Sequence, residues 1–141
     1  MKKFVTVSLI LCGCVFFAFS TRGDEKTQGE KVVTATMDSD GVQRVQIEGG
    51  TDYFSPNHVI VKLNVPVELK VRKVPGIVPH DIVMDSPEAG MKFKESLDPE
   101  PKSIRFTPTK TGTYPFYCDK RLWPFASHRD KGMKGVIEIV E

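Results

Sequence analysis

The sequence is short of the residue types from which most catalytic and binding sites are built. It holds three histidines and three cysteines in 141 residues. Three cysteines, at 12, 14 and 118, are too few for a disulfide framework. Three histidines, at 58, 80 and 128, do not stretch to several metal centres. With so few histidines no Ser-His-Asp set is credible, and no Gly-rich phosphate loop is present. Neither sign of charge prevails: Lys+Arg total 20 and Asp+Glu 18, a net +2. That balance argues against a nucleic-acid binder, which carries a strong basic excess. The uncharged run from Phe4 to Phe19 is 16 residues, short of the roughly 20 that a spanning helix needs. There is no long helical pattern, no internal repeat and no second domain. Hydrophobic residues at 40% and charged residues at 27% exclude wholesale disorder and fit one ordinary globular domain.

What is present begins with an address. Lys2 and Lys3 precede the apolar run, and Ala18-Phe19-Ser20 fits the small-x-small cleavage rule. The expectation is a signal peptide over 1–20, cut after Ser20, and therefore a periplasmic or otherwise exported protein. Two alternatives remain open: acylation at Cys14 after Leu11-Cys12-Gly13, and an uncleaved N-terminal anchor. Cleavage removes Lys2 and Lys3 from the 20 basic residues and leaves 18 against 18 acidic ones, a neutral chain. It also leaves Cys118 as the sole cysteine, which either is buried and inert or holds something. Residues 21–31 are polar and aperiodic and read as a flexible leader.

From there the chain reads as short strands with period two. Val33–Met37 leads to a turn at Asp38–Gly41, and Val42–Glu48 follows. Val59, Val61 and Leu63 alternate with Ile60 and Lys62, and Val67, Leu69 and Val71 alternate with Glu68, Lys70 and Arg72. His80, Ile82 and Met84 alternate with Asp81, Val83 and Asp85. Ile104 and Phe106 form another run, then Tyr114, Phe116 and Cys118, and finally Val136–Val140. Short helices are expected around 87–94 and within 119–131. About eight strands in one domain, with 10 prolines scattered among them, predict an all-β fold over 32–141: an antiparallel Greek-key β-sandwich. A core of this size does not need a metal to fold.

The chemistry concentrates in His80, Cys118, His128 and Met133. One distant histidine is followed by the spacing C-x9-H-x4-M. Imidazole, thiolate and thioether make a soft, compact donor set. Two His, one Cys and a weak axial Met form the blue-copper arrangement. Each residue alone has a plainer reading as core or surface, but the sole mature cysteine, two of the three histidines and a methionine fall in the needed order. Gly132 and Gly135 flank the methionine, as a tight turn into a strand requires. His58, beside Pro56-Asn57, is expected to be a solvated surface residue.

The chain resembles the cupredoxins, the family of plastocyanin and azurin, over about residues 42–141. The resemblance rests on Tyr53-Phe54-Ser55-Pro56, on Val78-Pro79-His80-Asp81, on Thr107-Pro108 through Gly112-Thr-Tyr-Pro-Phe-Tyr-Cys118, and on His128-Arg-Asp-Lys-Gly-Met133-Lys-Gly135. It is similar above all to small exported bacterial cupredoxins distantly related to oxidase subunit II domains. The resemblance implies one type 1 copper, with His80, Cys118 and His128 as equatorial ligands and Met133 as the axial one. It implies one-electron transfer and no enzymatic reaction. The chain departs from the pattern at Asp81, where many members carry Asn or Ser, and in its long Cys-to-His loop, closer to that of nitrite reductases. A dinuclear centre is excluded because Leu122 stands where a second cysteine would be needed, and only His58 is left over for any further copper.

Two functions stay open: an electron carrier, and a protein that stores or delivers copper. The methionines Met37, Met84, Met91 and Met133 are scattered rather than clustered, which favours the carrier. A metal-free interaction module is a weaker third reading. Within 119–134, Lys120, Arg121, Arg129, Lys131 and Lys134 stand against Asp119 and Asp130. An acidic redox protein is therefore the expected partner, docking over this loop near a surface-lying His128. Trp123 is expected to pack inward and brace the loop; the alternative is that Leu122, Trp123, Pro124 and Phe125 form an apolar rim around His128 that gives the partner close approach.

Overall fold

The computed structural model describes residues 29–141. The expected cleavage after Ser20, the alternative at Cys14 and most of the 21–31 leader lie outside the described residues. The strands are β1 (Val32–Thr34), β2 (Thr36–Met37), β3 (Gln43–Gly50), β4 (Tyr53–Ser55), β5 (His58–Lys62), β6 (Val67–Lys73), β7 (His80–Ser86), β8 (Met91–Leu97), β9 (Lys102–Phe106), β10 (Gly112–Tyr117) and β11 (Lys134–Val140). They form two layers. One sheet runs β1-β5-β11-β10-β7-β8, and the other runs β2-β3-β6-β9 with β4 added on β3.

The period-two apolar residues face one another between the layers, because alternate side chains of a strand share a face. Val45 and Ile47 of β3 and Val67, Leu69 and Val71 of β6 meet Val59 and Val61 of β5, Ile82 and Met84 of β7, Phe116 of β10, and Ile137 and Ile139 of β11. Phe54 and Phe116, both fully buried, pack edge to face with centroids 5.2 Å apart. Burying a large apolar side chain of this kind stabilises by about 1.5–3 kcal/mol.

The sandwich agrees with the expectation from the sequence, but its sheets are mixed rather than antiparallel. β1 pairs parallel with β5, β5 with β11, and β3 with β6. The strands of each parallel pair are distant in sequence and return by way of the opposite sheet, as parallel pairing requires a crossover. The helix expected around 87–94 shrinks to one 3-10 turn at Pro87–Ala89. From Met91 the chain instead pairs with β7 over its whole length, from Ser86↔Met91 to His80↔Leu97, so sheet pairing overrides local propensity. No helix forms within 119–131 either; that stretch is turns and one isolated bridge, Arg121↔Ser127. β7 also breaks the expected alternation. It lies between β10 and β8, and Asp81 and Val83 are buried along with His80, Ile82 and Met84.

Parallel pairing has a positional effect. Val32, His58 and Val136 lie side by side at the starts of β1, β5 and β11. The antiparallel neighbours place the end of β10 and the start of β7 at the same end of the sandwich. Among the described residues no helix is long and apolar enough to cross a membrane.

Candidate metal centre

That end collects the four residues singled out from the sequence. His80 opens β7, Cys118 follows the last residue of β10, His128 lies on the β10–β11 connection, and Met133 precedes β11. One ring nitrogen of each histidine and the Cys118 Sγ lie within 4.8 Å of one another. The two imidazole rings are 4.8 Å apart at their centroids. The Cys118 Sγ is 3.5 Å from His128 Nδ1. All four residues are buried, Cys118 and Met133 completely.

The connection is folded tightly enough to hold this arrangement. The N–H of Cys118 donates to the Met133 carbonyl at 3.0 Å, the N–H of Met133 to the His128 carbonyl at 2.9 Å, and the N–H of His128 to the Lys120 carbonyl at 3.0 Å. Gly132 takes φ +108, a backbone state that side chains rarely adopt. At Gly135 a Cβ would stand 2.4 Å from the Phe116 ring and 2.5 Å from the Asn57 carbonyl oxygen. Both glycines therefore answer to the geometry expected around Met133. From the opposite sheet, Gly49 backs onto the methionine: a Cβ there would lie 3.1 Å from Met133 Cε and 2.7 Å from Leu97 Cδ1. No pattern in the sequence marks Gly49 for this position.

Burial sets the electrostatics. It pushes the Cys118 thiol up to about 11, the backbone N–H groups that face it only partly offsetting this. Burial, followed by the neighbouring His128, holds the His80 imidazolium below its usual range. His80 Nδ1 is buried with no hydrogen-bond partner among the protein groups. A neutral imidazole nitrogen left unpartnered beside a thiol and a second imidazole suits a soft metal ion.

Asp81, the departure noted in the sequence, ties the two ligand-bearing strands. Its Oδ1 accepts the N–H of Asp119 at 2.7 Å, and its own N–H points to the Cys118 Sγ at 3.5 Å. Its Oδ2 is buried without a hydrogen bond. The ammonium groups of Lys120 and Lys94 stand 3.8 and 3.9 Å from that oxygen. Lys94 also binds Asp119 at 2.9 Å.

Three expectations are corrected. His128 is not open to solvent: it is only 2% exposed, on a connection held by the Arg121↔Ser127 bridge and the hydrogen bonds above. Trp123 does not brace the loop from within; it is 85% exposed, with Phe125 at 62% and Leu122 at 45%. His58 is not a solvated surface residue. Its side chain is 18% exposed and held between Glu30, at 2.7 Å from Nδ1, and Glu138, at 2.7 Å from Nε2. These carboxylates, Glu30 foremost, raise its basicity.

The family described as "Cupredoxin-like domain" matches residues 9–137. No curated protein sequence matches the chain. Several solved structures share the fold. The metal-binding domain of the Streptococcus pneumoniae D39 Cu(I)-exporting P-type ATPase CopA, solved with Cu(I), has a TM-score of 0.60 at 24% identity, covering 81% of this chain and 100% of that one. Dithionite-reduced auracyanin from the photosynthetic bacterium Roseiflexus castenholzii has a TM-score of 0.55 at 18% identity, covering 76% and 99%. The periplasmic domain of cytochrome oxidase subunit II from Bradyrhizobium japonicum has a TM-score of 0.52 at 18% identity, covering 70% and 83%.

Proposed function

Since the chain belongs to the cupredoxin-like domain family, we propose that it is an exported protein with one type 1 copper that carries single electrons between redox partners. In this reading His80, Cys118 and His128 would hold the ion, and the Met133 thioether would be a weaker fourth donor. The observation that carries it is the buried, unpartnered His80 Nδ1 in a group of three soft donors within 4.8 Å. When bound there, copper supplies exchange of one electron between its two common oxidation states. The chain supplies a frame that moves little: the backbone bonds among Cys118, Lys120, His128 and Met133 fix the loop. Burial of all four side chains keeps water away from the donors. We read the protein as a carrier rather than an enzyme, in line with its likeness in fold to auracyanin.

Delivery of copper is the second reading, favoured by the likeness in fold to a Cu(I)-exporting ATPase domain. Optical and paramagnetic-resonance spectra after addition of Cu(II) test the first. A type 1 site gives an intense visible sulfur-to-copper band that Cys118→Ser abolishes while the fold survives. A band that persists in that variant overturns the assignment. A carrier retains copper against a Cu(I) chelator while exchanging electrons; rapid loss of the ion on reduction supports delivery.

A further inference from the structure

Four of the six most exposed large apolar side chains among the described residues, Leu122, Trp123, Phe125 and Ile77, lie on two loops at the ligand end. Three of them form a closed tip. The Arg121↔Ser127 bridge seals its base. The N–H of Phe125 donates to the Leu122 carbonyl at 2.7 Å, and Arg121 Nε to the Phe125 carbonyl at 3.2 Å. Ile77, 99% exposed, sits on the β6–β7 loop, which the Lys73 ammonium pins through the carbonyls of Gly76 and Val78 at 2.8 and 3.0 Å. The tip is thus a fixed projection rather than a loose segment.

The charge beside it is mostly positive. Of five cationic side chains between 119 and 134, Lys120 and Lys131 stand 3.8 and 3.9 Å from Asp81 and Asp52, while Arg121, Arg129 and Lys134 have no ion pair among the described residues; the two carboxylates of the stretch are engaged, Asp119 by Lys94 at 2.9 Å and Asp130 by the Ser127 hydroxyl at 2.6 Å. Arg121 adjoins the apolar tip directly.

We propose that this tip docks on an anionic phospholipid bilayer, with Trp123, Phe125 and Leu122 entering the headgroup boundary and the cationic side chains meeting the lipid phosphates. Rings that project singly need a matching cavity on a protein partner, whereas the bilayer boundary accepts them without one. Tryptophan and phenylalanine beside Lys and Arg are the composition of interfacial anchors. An anionic leaflet attracts such basic groups, within a Debye length of about 8–10 Å. An acidic redox protein satisfies the same charges but has to offer a pocket to each projecting ring. The proposal does not depend on the copper reading, since no ligand belongs to the tip.

Trp123 is the only tryptophan of the chain, so its emission reports the tip alone, whatever the N-terminal segment does. The protein as isolated is mixed with vesicles of phosphatidylglycerol and phosphatidylcholine, and with phosphatidylcholine vesicles as control. The expected result is a shift of emission to shorter wavelength, and quenching by brominated lipid, with the anionic vesicles only. Arg121→Glu, and Leu122→Ser combined with Phe125→Ser, each weaken the response about tenfold. Emission unmoved by anionic vesicles overturns the proposal, even where the protein sediments with them through its N-terminus. So does a response that both variants leave unchanged. Salt-sensitive association with an acidic redox protein that Arg121→Glu weakens, without any response to vesicles, assigns the surface to a protein instead.

Discussion

The Asp81 carboxylate accepts the backbone N–H of Asp119 at 2.7 Å and so joins the residue after His80 to the residue after Cys118. Asp81→Ala removes that tie. The expected cost is about 1–3 kcal/mol of stability and about 10–100-fold in metal affinity. Asp81→Asn keeps an acceptor for Asp119 and keeps the affinity. It also removes a buried negative charge beside the site, so the reduction potential rises. Chelator competition and potentiometry on the two variants separate positioning from charge.

The Cys118 thiol, pushed up to about 11 by burial, is protonated in the metal-free protein at neutral pH. Binding of Cu(II) is expected to release its proton, which a weakly buffered titration detects. Its alkylation is slow at neutral pH and accelerates in alkali. The raised value also has a stability consequence. Its contribution is complete below the ordinary thiol value of 9.0 and is lost as pH climbs through about 11. Thermal melts of the metal-free protein are expected to fall across that window, and those of Cys118→Ser to lose this component.

Met133 is expected to tune the centre rather than hold it. Met133→Leu keeps copper and colour and raises the reduction potential; Met133→Gln lowers it. Loss of copper in the leucine variant identifies the thioether as a principal ligand. Gly49 offers an independent probe, since a methyl there crowds Leu97 Cδ1 at 2.7 Å and Met133 Cε at 3.1 Å. Gly49→Ala is expected to cost about 1–3 kcal/mol and to alter the copper spectrum. The same spectrum as the parent shows that Leu97 yields and the axial side chain does not.

His58 is clamped between Glu30 and Glu138, and its folded-state pKa is raised above 6.5. The stabilisation is complete below 6.5 and disappears as pH rises through the raised value. Each such pair contributes about 0.2–1 kcal/mol. Melts of the parent and of His58→Gln are expected to differ in mildly acidic solution and to converge in alkali. Hydrogen exchange is expected to show the loss at Val32–Thr34, the strand that Glu30 precedes.

Much of the centre was legible because scarcity left few choices. One cysteine beyond the N-terminal apolar run, two usable histidines and one methionine in order pointed to four positions, and the structure gathers His80, Cys118 and His128 within 4.8 Å. Alternation exposed the core because strand periodicity is local. What failed depended on partners distant in sequence. Parallel pairing of β1, β5 and β11 is settled by packing across the sandwich. His58 looked solvated because Glu30 and Glu138 lie 28 and 80 residues away. Trp123 looked like core because its size argues for burial, whereas it stands 85% exposed on the tip between Arg121 and Ser127.

The parallel start of β1, β5 and β11 gives the molecule a handle at each pole. Gly29 is held by the Asn57 amide at 3.4 Å, beside the centre, while Val140 pairs with Lys62 at the far end of the sheet. A linker joined to Glu141 thus leaves the donor cluster facing outward from an electrode, and one joined ahead of Gly29 turns it toward the metal surface. Immobilisation of residues 29–141 through Gly29 and through Glu141 is a direct way to compare the proposed electron exchange at opposite faces of one fold.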